Sequence, residues 1–169
     1  VTSGITVMGV GNLLWADEGL GPRLAAALGE RLKADPALAE QVEVIDGGTQ
    51  GLYLLPQMTD ARKLLLFDAV SLGLAPGEMV ILCDSDVESR FSHLPVSLHQ
   101  TTLQDLLASA RLLGWQPEQL VLIGVQAGDT ESWGGPLTSS AEAAMEPALA
   151  TALEILARWS AGQLFEIRK

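Results

Sequence analysis

Gly9-Val10-Gly11-Asn12-Leu13-Leu14-Trp15-Ala16-Asp17-Glu18-Gly19-Leu20-Gly21-Pro22 follows Ile5-Thr6-Val7-Met8, an apolar and partly β-branched run with the length of a buried strand. Beyond it, Leu20, Leu24, Ala27, Leu28 and Leu32 recur at three- and four-residue spacing, the period of a helix with one apolar face. A strand, a glycine turn and a helix in that order open an α/β sheet. The turn stands at the strand's carboxyl end, where the loops of such sheets line a crevice and bind ligands. The helix is expected to begin near Asp17, whose carboxylate suits an N-terminal cap, and to end by Asp35-Pro36, because proline disfavours helix at the residue before it.

Working outward, Val42-Glu43-Val44-Ile45 reads as a second strand that stops at a turn, Asp46-Gly47-Gly48-Thr49. Lys63-Leu64-Leu65-Leu66-Phe67 is the most uniformly apolar run, as a central strand covered on both faces requires, and it ends at Asp68. Glu18, Asp46 and Asp68 therefore fall just past three strands, on one edge of a parallel sheet. After the Pro76-Gly77 turn, Glu78 to Leu82 makes a fourth strand. Its link from Asp68 is only about ten residues, short for a helical crossover, so an antiparallel edge strand is expected. Asp84 to Ser97 reads as polar and irregular, and it delivers His99-Gln100 to a helix with Thr101 and Gln104 as a capping box and Leu103, Leu106, Leu107 and Ala110 as its apolar face. Leu120 to Val125 is the last strand. Ser139 with Glu142 offers a second capping box for a long apolar stripe from Ala141 to Leu156, which Pro147 is expected to kink or restart.

With 169 residues, 48% of them apolar and 18% charged, the chain fits one globular domain, taken as 1–162 with 163–169 as a tail without periodicity. It has no run of about 18 apolar residues and opens without a secretory signal pattern, so a soluble, cytoplasmic protein is expected. Twenty-one acidic against ten basic side chains give a formal net charge of −11. That field repels nucleic acid and anionic membrane, which are not expected partners; it suits metal cations or a basic peptide, or serves solubility alone. The single cysteine, Cys83, cannot form an internal disulfide, and the acids after it, Asp84 and Asp86, disfavour a reactive thiolate.

Gly9-Val10-Gly11 superficially fits a dinucleotide turn. Leu14 stands where the third glycine of that fingerprint belongs, and Asp17 and Glu18 would crowd a pyrophosphate with negative charge. Of the two histidines, His93 reads as a solvated loop residue and His99 lies at a helix entrance. Glu18, Asp68 and His99 together make a donor set for a borderline divalent metal such as nickel, zinc, manganese or iron. A metal there could polarise a carbonyl and support hydrolysis. The plainer alternatives are that Glu18 complements a helix dipole and that Asp46 and Asp68 hold turns. No Gly-x-Ser-x-Gly nucleophile elbow is present.

Taken in order, Gly9-Val10-Gly11-Asn12, Asp17-Glu18-Gly19-Leu20-Gly21, Asp46-Gly47-Gly48-Thr49, Phe67-Asp68-Ala69, Pro76-Gly77, His99-Gln100, Leu122-Ile123-Gly124-Val125 and Leu137-Thr138 through Met145-Glu146-Pro147 resemble the NiFe-hydrogenase maturation endopeptidases over nearly the whole chain. The resemblance implies an α/β fold, a single-domain three-layer sandwich with a twisted, mostly parallel five-stranded sheet. It implies metal-ligand positions at Glu18, Asp68 and His99, and substrate choice at Gly47-Gly48-Thr49 with Asp46 before it. The implied substrate is the precursor of a NiFe-hydrogenase large subunit that already carries nickel, from which a C-terminal extension is cut. Asp46 is a possible assisting acid or base. A non-enzymatic nickel carrier or inspection module for the same precursor is the alternative function.

Overall fold

The computed structural model describes residues 4–91 and 98–167, with the side chains of 91 and 98–102 outside that description; His93 lies outside it altogether. The apolar runs form β1 (Ile5–Val10), β2 (Val42–Gly48), β3 (Lys63–Val70), β4 (Met79–Cys83) and β5 (Gln119–Gln126). They make one sheet in the order β2-β1-β3-β5-β4. The first four of that order run parallel, and β4 pairs antiparallel with β5, as its short connection required. Two strands run past the ends expected for them: β2 continues through Asp46 and Gly47 to Gly48, with a bulge against Gly9 and Val10, and Asp68 sits inside β3, paired with Gly124.

Helices cover both faces. On one, α1 (Leu20–Leu32) and α6 (Ser139–Ser160) pack Leu24, Leu28, Ala148, Leu149 and Leu156 against Val7, Leu65, Phe67 and Ile123. On the other, α3 (Leu55–Asp60) and α5 (Leu98–Leu112) pack Met58, Leu103 and Leu106 against Met8, Leu64, Leu66 and Leu122. Two short helices are added: α2 (Pro36–Ala39), beyond the expected end of the first helix, and α4 (Ser85–Phe91), in the stretch expected as polar and irregular. Every apolar side chain of β3 from Leu64 to Phe67 is fully buried, and each contributes about 1.5–3 kcal/mol relative to exposure. That burial is why β3 takes the centre and why its register is fixed.

Three cap assignments change. α1 begins at Leu20, after a 3-10 turn at Ala16–Gly19, and Asp17 does not cap it. The residue that caps α6 is Thr138, whose hydroxyl accepts a bond from the Ala141 N–H, and α6 continues unbroken through Pro147. α5 starts at Leu98, so Thr101 lies within it.

At the amino edge of the sheet the polar groups are tied off. Gln119 Oε1 accepts from Trp159 Nε1 at 2.6 Å and from the Phe165 N–H at 2.8 Å, while its Nε2 donates to the Phe165 carbonyl at 2.8 Å. Phe165, from the stretch expected as a tail without periodicity, is buried by this clasp. Lys63 reaches the Trp159 carbonyl at 3.2 Å. Among the described residues no helix is long and apolar enough to cross a membrane.

Candidate active site

The chain leaves β1 through α1 to β2 on one side, then returns through α3 to β3 on the other. The carboxyl ends of β1 and β3 therefore flank the point where the strand order reverses, and a crevice opens there. Glycine brings a helix close to it. A β-carbon on Gly9 would stand 2.2 Å from the Gly21 carbonyl oxygen, and one on Gly21 would stand 2.1 Å from that of Val10. Backbone against backbone, the start of α1 lies over the ends of β1 and β3, and the 3-10 turn before it carries Glu18 to the crevice.

Glu18 and Asp68 meet there. Asp68 is buried, and burial drives its carboxyl well above the ordinary carboxylate range; a bond from the Ala69 N–H works the other way, and the negative charge of Glu18 raises it further. Two acids near enough to repel, one of them buried, are expensive to ionise together, and a cation removes the difficulty.

Asp46 goes elsewhere. It is in register with Gly9 and, through β1, with Phe67, so alternation along the strands sends it towards the face that Phe67 serves, whereas Asp68 leaves on the face of Leu66 and Val70. β1 lies between their strands, a separation of about 10 Å. Asp46 is exposed, and its Oδ1 accepts from the Gly48 N–H at 3.0 Å, holding the Gly47-Gly48-Thr49 turn. The shared edge expected for three acids thus divides into a pair, buried Asp68 with half-buried Glu18, and a turn-holding Asp46. His99 falls in the first turn of α5, which packs on the Asp68 side of the sheet; its side chain lies outside the described residues. Among the described residues no three acid, histidine or cysteine side chains converge in a way that could hold a metal ion.

One residue has a larger role than its local sequence shows. Asp17 is fully buried, and its carboxylate accepts from Gly128 N at 2.8 Å, Asp129 N at 3.1 Å, Thr138 N at 2.7 Å and Thr138 Oγ1 at 2.8 Å. It ties the loop after β5 to the turn that presents Glu18. The two tryptophans make a second tie: Trp15 and Trp133 pair edge to face at 5.0 Å, and Gly134 N donates to the Leu14 carbonyl at 2.8 Å. Between the ties, Ala16 is held at φ +29°, a left-handed conformation that a non-glycine residue keeps only when its surroundings impose it.

Comparison with known proteins gives a consistent answer. The family model described as hydrogenase maturation protease matches residues 26–155. The chain is 43% identical over 155 residues to the hydrogenase expression/formation protein HupD of Bradyrhizobium diazoefficiens, spanning 92% of this chain and 79% of that protein. It is 42% identical over 153 residues to the hydrogenase 2 maturation protease of Escherichia coli, spanning 90% of each. Its fold is similar to that of the hydrogenase maturating endopeptidase HybD from E. coli, with a TM-score of 0.77 and 36% identity over 94% of this chain and 93% of the other.

Proposed function

The chain belongs to the hydrogenase maturation protease family, and on that premise we propose that it is a nickel-dependent endopeptidase, cytoplasmic in location, which removes the C-terminal extension from the nickel-loaded precursor of a NiFe-hydrogenase large subunit. The observation that carries this reading is the pair of carboxylates, Glu18 and Asp68, opposed in a crevice at the topological switch point. Such a pair costs stability in the free protein, and a divalent cation arriving with the substrate offsets that cost. Glu18, Asp68 and His99 then serve as the donors that read the precursor's nickel, a set of oxygen and imidazole ligands suited to that ion. A cation placed beside the scissile peptide favours attack by water on its carbonyl. Because Asp46 lies on the other face, its part is assigned, with Gly47, Gly48 and Thr49, to gripping the substrate; a proton-transfer role for it would need the scissile bond to lie across β1.

The test is a mass measurement. The purified protein is incubated with nickel-loaded and with nickel-free large-subunit precursor. Loss of a C-terminal fragment from the loaded form alone is the expected result. No loss from either form overturns the protease reading and leaves a nickel carrier or inspection module in its place. Glu18→Gln should abolish the cut while circular dichroism shows an unchanged fold; normal cutting by that variant removes Glu18 from the mechanism.

A further inference from the structure

The described part of this acidic chain uses most of its cations in ion pairs: Arg31 with Glu146, Lys33 with Glu30, Arg62 with Glu118, Arg111 with Glu88 and Arg158 with Glu154. Arg23 has no such partner among the described residues, and its Nε is buried without a hydrogen bond. Its position is also against the trend for helices. It is the fourth residue of α1, near the positive end of the helix dipole, where a cation is disfavoured. Helical side chains lean towards the amino end, and this one does: a β-carbon on Gly19 would stand 3.5 Å from Arg23 Nε and 3.4 Å from Leu13 Cδ2. The missing side chain at Gly19 therefore lets Arg23 and Leu13 close in on the same point of the backbone, beside Glu18.

Leu13 opens an apolar ledge. Leu13 is 47% exposed, Leu14 52% and Trp133 65%, and the hydrogen bond from Gly134 to Leu14 together with the Trp15–Trp133 pair makes them contiguous. The ledge joins the crevice directly, since Asn12 N donates to the Glu18 carbonyl at 3.0 Å. An exposed apolar surface at the rim of a site, with a half-buried arginine beside it whose Nε has no hydrogen bond, is arranged for a polypeptide and not for solvent.

We propose that Arg23 and the Leu13-Leu14-Trp133 ledge form a docking site for a segment of the precursor that carries a carboxylate beside apolar side chains, a reading that rests on the proposed function. Charge complementarity sets the occupant's chemistry: Arg23 supplies the cation for the carboxylate, and the ledge covers the apolar neighbours. Arg23 acts here as a specificity-determining residue. It holds the substrate and takes no part in the bond cleavage.

Binding and cutting are measured separately. Calorimetry with the loaded precursor, in a Glu18→Gln background that does not cut, should show Arg23→Gln weakening Kd at least about tenfold, the loss of one charge-assisted hydrogen bond. Trp133→Ala should weaken it as well, and Arg23→Lys should recover part of the affinity. Replacing the acidic residues of the precursor's C-terminal region with their amides should make the Arg23→Gln loss vanish. In the cutting assay, Arg23→Gln should raise KM with kcat within about twofold, and it should leave thermal unfolding unchanged or shifted upward, because the cation is unpaired at a helix amino end. An unchanged Kd on Arg23→Gln substitution overturns the proposal whether or not the wild type cuts. Wild-type protein that binds in an Arg23-dependent way and does not cut overturns the protease function and leaves the docking site standing.

Discussion

The two ends of the sheet solve the same problem in opposite ways. At the amino edge Gln119 is buried with its amide fully engaged by Trp159 and Phe165, and Lys63 is turned to the Trp159 carbonyl. At the carboxyl edge, a few residues along the same strands, Asp68 is buried beside Glu18 and held away from its ordinary ionisation. The first end is built for stability alone. The second accepts an electrostatic cost, and the surrounding scaffold, Asp17 with its four hydrogen bonds, offsets it.

The comparison can be broken most severely at Asp17. Asp17→Ala strips the partner from three backbone N–H groups and the Thr138 hydroxyl, and should lower stability by about 3–5 kcal/mol, the range for breaking a buried, hydrogen-bonded charge. Thermal unfolding should show this as a drop of about 10 °C. Processing should fall with it even at temperatures where the variant is folded, since the loop after β5 and the Glu18 turn come apart. A loss of stability without any loss of processing would show that the clamp and the site are independent.

Gln119→Ala tests the other end. It leaves the Trp159 indole and the Phe165 backbone unpartnered and should cost about 2–3 kcal/mol. The folded variant should process precursor at the wild-type rate. A change in kcat would mean that the amino edge contributes to the site and that the division between the ends is false.

Asp68→Asn carries the smallest and most diagnostic effect. Its carboxyl holds a proton more tightly in the folded than in the unfolded chain, so the folded state loses stability as pH rises from the ordinary carboxylate range through the raised folded value. The asparagine variant lacks that loss. Wild type and variant should unfold alike near pH 4, and the variant should become more stable by about 1 kcal/mol at neutral pH while processing disappears. Chemical denaturation at several pH values measures the difference; a variant less stable than wild type at pH 7 would mean that Asp68 is stabilised by partners as Asp17 is.

Local patterns made much of this legible. Strand runs, the antiparallel edge and the helical faces of α1 and α5 follow from spacing and composition, because the periods of strands and helices are imposed by the backbone itself. The strand ends were harder to read. Asp46 and Asp68 each sit within a strand, since a polar residue at the end of a buried run looks the same as one just past it. Asp17 reads as a helix cap in the sequence because capping is a local habit of aspartate. Its actual partners lie 111 to 121 residues away, across the sheet.

By itself the sequence determined the alternation of elements, the glycines that let α1 close on the strand ends, and the residues from which a cation-reading edge could be made. Which of those residues face one another was decided by the tertiary structure. The order β2-β1-β3 puts Glu18 and Asp68 at one crevice, and the pleat turns Asp46 away from it. Strand order and side-chain direction are properties of pairing between distant segments, and no local period encodes them.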